Sequence, residues 1–199
     1  IITYKQLNDR ALTFARLLIK NKGSNNVVGI ITQRNYSTYI GVLGSVYSGL
    51  AYVPINSKYP IDKINRIIKE ANIQILIADD IEWNDVKSKF EYNEDIVCIL
   101  FPSYDVKHVV EKGPMNIFDL NSIGTLRQPI ESDYDSNTYI MFTSGSTGNP
   151  KGVQVSNKNV LSLLNNMNNY YELEPGFRSS QTFDLSFDLS ISDIFFTWM

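Results

Sequence analysis

Apolar positions along the chain switch repeatedly between a helical period and short continuous runs. Leu7, Ala11, Phe14, Leu17 and Leu18 recur at helical spacing behind Thr3, a residue suited to capping a helix N-terminus, and Gly23 is placed to close that helix. Val27–Thr32 is a short apolar run, followed by a helical stretch over Tyr36–Tyr47 and a second apolar run over 50–55. Pro60 then opens a helix whose Ile61, Ile64, Ile67 and Ile68 share one face and which ends near Asn72. Residues 73–78 and 96–101 are β-branched runs of strand length, with a short helix predicted between them over 81–90. Continuous apolar strands alternating with amphipathic helices predict α/β architecture, with mostly parallel sheets covered by helices on both faces.

Residues 102–137 break this rhythm. They carry Gly113-Pro114, Pro129 and a loose acidic group, Glu131, Asp133 and Asp135, and read as a long irregular connection. Order resumes at the apolar strand Tyr139-Ile-Met-Phe142. Val153-Gln-Val155 is extended, Ser156 and Asn157 are candidate caps for the next helix, and Tyr170 and Tyr171 at its end are expected to pack. A further helix begins near Leu189 and stays apolar through Phe195, Phe196, Trp198 and Met199 without a stop signal. That apolar end, and a start with no initiator methionine, give the expectation of a piece of a larger unit. Within it, Phe183-Asp-Leu-Ser186 is repeated at once as Phe187-Asp-Leu-Ser190.

Composition narrows the functions. The 199 residues are 43% hydrophobic and 20% charged, enough to bury a core. Eighteen Lys and Arg against 21 Asp and Glu leave a net charge of −3, which offers no footprint for nucleic acid or an anionic membrane. A single cysteine, Cys98 in an apolar run, excludes an internal disulfide and a cysteine zinc cluster and reads as inert core. The one histidine, His108, lies in the poorly patterned stretch and reads as a surface residue. No signal peptide is evident, and no apolar run approaches the roughly 18 to 20 residues that cross a bilayer, so a soluble, cytoplasmic protein is expected.

The segment richest in chemistry is Thr143-Ser-Gly-Ser-Thr-Gly-Asn-Pro-Lys-Gly152, directly after the strand ending at Phe142. Glycines there allow backbone N–H groups to approach an anion, the hydroxyls add short donors, and Lys151 supplies a mobile charge suited to phosphate. A flexible Gly/Ser surface loop is the plain alternative. The nucleotide-hydrolase loop G-x-x-x-x-G-K-[ST] does not fit: the fifth residue after Gly145 is Pro150, and Lys151 is followed by Gly152.

With these motifs the chain resembles the adenylate-forming enzymes, and within them the amino-acid adenylation domains of nonribosomal peptide synthetases. The loop matches the family signature [ST]-S-G-[ST]-T-G-x-P-K-G throughout. Ile2-Thr-Tyr-Lys-Gln-Leu7 resembles the opening motif, with Gln6 where Glu is usual, and Ser48-Gly-Leu-Ala-Tyr-Val-Pro-Ile55 resembles the second. Tyr59-Pro60 and Arg66 continue the pattern, while Asn56 and Ser57 replace the more common Asp and Pro.

The resemblance implies an incomplete N-terminal subdomain over 1–199, part of the family's large subdomain, with the C-terminal subdomain absent. It implies a reaction that joins a carboxylate to ATP, with Mg2+ sharing the charge, to give an acyl-adenylate and pyrophosphate. The acyl group then passes to the thiol of a phosphopantetheinyl carrier protein or domain. Thr143, Ser144, Gly145, Ser146, Thr147, Gly148, Lys151 and Gly152 would hold the phosphates, with Lys151 a helper rather than the catalytic lysine. Asp188 would contact the α-ammonium of an amino-acid substrate, with Phe187 beside it and Leu189 and Ser192 near the side-chain pocket.

Asp184 is the alternative register for that carboxylate, and a plain N-cap is the alternative role for Asp188. Because the adenine contacts and the catalytic lysine of the family lie in later sequence, no catalytic residue is assigned here and the 199 residues alone are expected to be inactive. A D-alanine:carrier-protein ligase of the same family is the nearest alternative. A self-contained phosphate-binding module or an inactive scaffold stands further off.

Overall fold

The computed structural model describes residues 2–79, 98–100, 124–144, 150–171, 174 and 176–199. Helix α1 (Tyr4–Asn21) starts on a reciprocal cap: Gln6 N–H donates to the Thr3 hydroxyl at 3.2 Å, and Thr3 N–H donates to Gln6 Oε1 at 2.9 Å. Two of the amide donors left over at a helix start are thereby satisfied. Leu7, Ala11, Phe14, Leu17 and Leu18 are buried along one stripe, as their spacing predicts. The glycine cap expected at Gly23 is corrected. The helix stops at Asn21, whose side-chain amide donates to the Leu17 carbonyl at 2.8 Å, and the next residue, Lys22, is already extended. Positive-φ glycines among the described residues are Gly49 and Gly176.

Six strands form one sheet in the order β4-β3-β1-β2-β5-β6: β1 (Val27–Thr32), β2 (Ala51–Asn56), β3 (Ile75–Ile77), β4 (Cys98–Leu100), β5 (Asn137–Ser144) and β6 (Pro150–Ser156). Every neighbouring pair is parallel except β5 and β6, which form an antiparallel hairpin at one edge. Helices α2 (Tyr36–Tyr47) and α3 (Ile61–Glu70) cross between the parallel strands, and α4 (Asn157–Tyr171) and α5 (Leu189–Trp198) follow the hairpin. The chain is thus α/β with a mostly parallel sheet flanked by helices.

Alternation along the strands divides the core into two layers. Val28, Ile30, Tyr52, Ile75, Ile77, Tyr139 and Met141 pack with α1, α2 and the inner residues of α4 and α5, Val160, Leu164 and Ile191. Ile31, Val53, Ile55, Leu76, Ile140 and Phe142 point the other way, onto Ile64, Ile67 and Ile68 of α3.

Residues 124–136 hold no helix or strand, as expected of a connection; the rest of it, 102–123, the helix predicted over 81–90 and His108 lie outside the described residues. Cys98 opens the edge strand β4 opposite Ile75, and the expectation of a buried thiol lies outside the described side chains. At the start of α4, Ser156 and Asn159 bond reciprocally, so Ser156 serves as the cap. The expectation that Tyr170 and Tyr171 pack holds in part: the Tyr171 ring lies 6.2 Å from Phe196 and 5.0 Å edge-on from Tyr170, but the two are 57% and 81% exposed, and the buried residues of α4 are Val160 and Leu164. Phe195, Phe196 and Trp198 are partly buried against the first core, with the Trp198 ring 6.2 Å edge-on from Tyr39. No helix among the described residues is long and apolar enough to cross a membrane.

Candidate functional site

A cleft of about 630 Å³ opens where β2 and β5 end. The carboxyl ends of parallel strands are where open α/β sheets place their ligands, and the volume suits a small molecule. Asn56 closes β2, Tyr59 and Lys63 come from the entry to α3, and Tyr139, Met141 and Thr143 come from β5. Asp184, Ser186, Phe187 and Asp188, just before α5, form the facing wall.

The hydroxyl-rich loop joins β5 to β6 at this cleft. Ladder pairing holds its two ends, with Thr143 opposite Lys151 and Ser144 opposite Pro150. Gly145, Ser146, Thr147 and Gly148 lie outside the described residues. Thr143 lines the cleft, its hydroxyl only 3.5 Å from the Lys151 carbonyl, while Lys151 is exposed on β6 and is not among the lining residues. Gly152 has a packing reason: a Cβ there would lie 3.1 Å from both Ile140 Cγ2 and Phe142 Cζ.

The two Phe-Asp-Leu-Ser copies do different things. Asp184 is fully engaged: Oδ2 accepts from the Asn56 side-chain amide, and Oδ1 accepts from Ser186 N–H at 2.9 Å and the Ser186 hydroxyl at 2.6 Å. Asp188 occupies the position before α5 with helical backbone, φ −60° and ψ −31°, and its side chain makes no capping bond, so the N-cap alternative is not the one realised. Among the described residues its carboxylate has no hydrogen bond or ion pair, and it lines the cleft. Burial first, and the charge of Asp188 second, push the Tyr139 phenol above its ordinary pKa.

Phe187 lines the same cleft and stacks on Phe183 at 6.3 Å. Leu189 and Ser192 do not line it. Leu189 is 46% exposed, and the Ser192 hydroxyl turns back to donate to the Leu189 carbonyl at 2.8 Å. The cleft thus gathers Thr143, Phe187 and Asp188 and adds Asn56, Tyr59, Lys63, Tyr139 and Met141, which sequence reasoning had not singled out as site residues. Tyr139 and Met141 were findable, since strand alternation puts them on one face; Lys63 carries no sequence signal.

The family model for AMP-binding enzymes matches residues 1–199. Gramicidin S synthase 2 of Brevibacillus brevis is 31% identical over 196 residues, which are 98% of this chain and 4% of that protein. The D-alanine--D-alanyl carrier protein ligase of Listeria monocytogenes serotype 4b (strain F2365) is 30% identical over 197 residues, 98% of this chain and 36% of the ligase. The chain therefore spans about a third of one curated relative and a few per cent of the other. Among solved structures, IdnL7 superposes with a TM-score of 0.79 at 23% identity, over 99% of this chain and 38% of that one. The nonribosomal peptide synthetase FmoA3, in its α-methyl-L-serine-AMP bound form, superposes with a TM-score of 0.77 at 19% identity, over 99% of this chain and 20% of that one. These two likenesses establish the fold.

Proposed function

The chain belongs to the AMP-binding enzyme family, and from that premise we propose that it is part of an ATP-dependent amino-acid-activating enzyme of the nonribosomal peptide synthetase kind. In this reading residues 1–199 are the incomplete N-terminal subdomain of an adenylation domain. The parent enzyme joins the substrate carboxylate to ATP, releases pyrophosphate, and hands the aminoacyl group to a phosphopantetheinyl carrier in the cytoplasm.

The carrying observation is the Asp188 carboxylate, without a partner among the described residues and facing the cleft that Thr143 also lines. A carboxylate answers an ammonium: at about 4 Å and an effective dielectric near 20 the attraction is on the order of 4 kcal/mol before desolvation. The engagement of Asp184 by Asn56 and Ser186 supports Asp188 as the amine partner. Thr143, Ser144, the glycines and hydroxyls through Gly148, and Lys151 are assigned to the phosphates, where positioning and charge stabilisation do the catalytic work. The described residues include no group of three or more His, Cys, Asp or Glu able to hold a metal ion. We assign Mg2+ to the phosphates of the nucleotide, its usual place in such sites.

Similarity to the D-alanine--D-alanyl carrier protein ligase supports a second reading, activation of D-alanine by a smaller enzyme. Amino-acid-dependent ATP–pyrophosphate exchange by the parent chain, run across amino acids including D-alanine, separates the two. No exchange with any amino acid would overturn both and leave a phosphate-binding module. Exchange by residues 1–199 alone would overturn their assignment as an incomplete subdomain.

A further inference from the structure

We propose that Asn56 and Asp184 form a latch that positions Asp188, so that the first Phe-Asp-Leu-Ser copy is a positioning element rather than a second substrate carboxylate. The inference rests on the reading of Asp188 as the amine partner. Asn56 ends β2, a central strand, and donates through Nδ2 to Asp184 Oδ2. Its orientation is set by a second bond, because Lys58 N–H must donate to an oxygen and does so to Asn56 Oδ1 at 2.8 Å. Tyr59 ties the same wall, with its hydroxyl 3.0 Å from the Ser186 hydroxyl.

From Asp184 the restraint reaches Asp188 through its chain neighbour Phe187 and the first turn of α5. Phe187 N–H donates to the Asp184 carbonyl at 2.9 Å, Ser190 N–H to the Phe187 carbonyl at 3.0 Å, and Ile191 N–H to the Asp188 carbonyl at 3.0 Å. Between the two aspartates Leu185 is buried, and its carbonyl accepts from the buried Ser190 hydroxyl at 3.3 Å. The turn fixes where the Cα–Cβ bond of Asp188 points, so the carboxylate is kept at the cleft wall while its two side-chain torsions remain free to meet a ligand.

The polarity of the latch makes it testable. Asn56→Asp keeps the bond from Lys58 N–H but sets two carboxylates face to face. Asp184→Asn keeps the bonds from Ser186 but opposes two amide N–H groups. The combined exchange N56D/D184N restores one donor and one acceptor in the reversed sense and leaves every other bond of the network in place.

In the full parent chain each single variant is expected to raise the KM for the amino acid about tenfold without changing the KM for ATP, and the exchange to return it to within about threefold of wild type. Singles at the wild-type level, or an exchange still above that threefold, overturn the latch. Amide hydrogen exchange over residues 182–190 of the ligand-free chain reads it without activity. It should quicken in N56D and slow again in N56D/D184N, and an unchanged N56D pattern overturns the proposal. If Asp188→Asn leaves the amino-acid KM untouched, the substrate reading fails, and the exchange measurement still decides whether the latch exists.

Discussion

Asp188 and Tyr139 are electrostatic neighbours in the cleft, and the phenol is held protonated above its ordinary range by burial first and by the Asp188 charge second. Asp188→Asn removes only the second cause, so the Tyr139 midpoint should fall toward 10.0 without reaching it. Tyrosinate absorbance, or NMR of labelled tyrosine, reads the midpoint; an unmoved value would separate the two residues. The sign for stability follows from the raised folded pKa. The contribution is complete below the unfolded value near 10.0 and is lost as the pH climbs through the folded one.

Tyr52 stands behind Tyr139, with ring centroids 5.9 Å apart, and its buried hydroxyl has no hydrogen-bond partner among the described residues. Burial, then the neighbouring Tyr139, pushes its ionisation well above the ordinary value. Tyr52→Phe keeps the ring and removes the orphaned hydroxyl, so it should raise stability by about 1 kcal/mol in urea unfolding at neutral pH. The variant should also lose less stability than wild type above pH 10.0. A less stable Tyr52→Phe would mean that the hydroxyl has a partner after all.

What could be read from sequence was whatever depends on neighbours along the chain. A continuous apolar run located β1, buried on both faces, and helical spacing located α2 and the apolar face of α3, because burial dictates which positions must be apolar. The same local logic put the cap of α1 at Thr3. It failed at the other end of that helix, where the Asn21 side chain takes the role given to Gly23. The division of labour between Asp184 and Asp188 was beyond reach for a different reason. It is decided by Asn56, 128 positions away, which the sequence marks only as a departure from the family pattern. Lys63 was missed likewise, since its place at the cleft depends on how α3 packs.

Gly44 packs α2 against Phe14 and Ala11 of α1. A Cβ there would lie 2.8 Å from Phe14 Cδ1 and 3.4 Å from the Ala11 carbonyl oxygen. Phe14 is fully buried, so its ring has no free space to yield into. Gly44→Ala would gain about 1 kcal/mol of helix propensity. Overpacking costs about 1 to 3 kcal/mol and should prevail, giving a lower urea midpoint with an unchanged m-value. A midpoint above wild type would show that the two helices separate at little cost.

Lys63 brings the only cation to the cleft among the described lining residues, and its ammonium sits 3.5 Å from the centroid of the Tyr59 ring. That contact fixes the charge without neutralising it, whereas a carboxylate partner would cancel its field. Asp184 and Asp188 line the same cleft, so Lys63→Gln shifts its charge by one unit toward the negative. A polyanion should feel that change. In the parent enzyme Lys63→Gln is expected to raise the KM for ATP by about three- to tenfold at low ionic strength, with the gap narrowing as salt screens the field. Lys63→Arg, which keeps the charge and can rest on the same ring, should stay near wild type. An effect of Lys63→Gln that is equal at low and high salt would mean that the stem packs against the cleft wall and the charge is idle. An effect on the amino-acid KM alone would place the ammonium beside the substrate carboxylate instead of the phosphates.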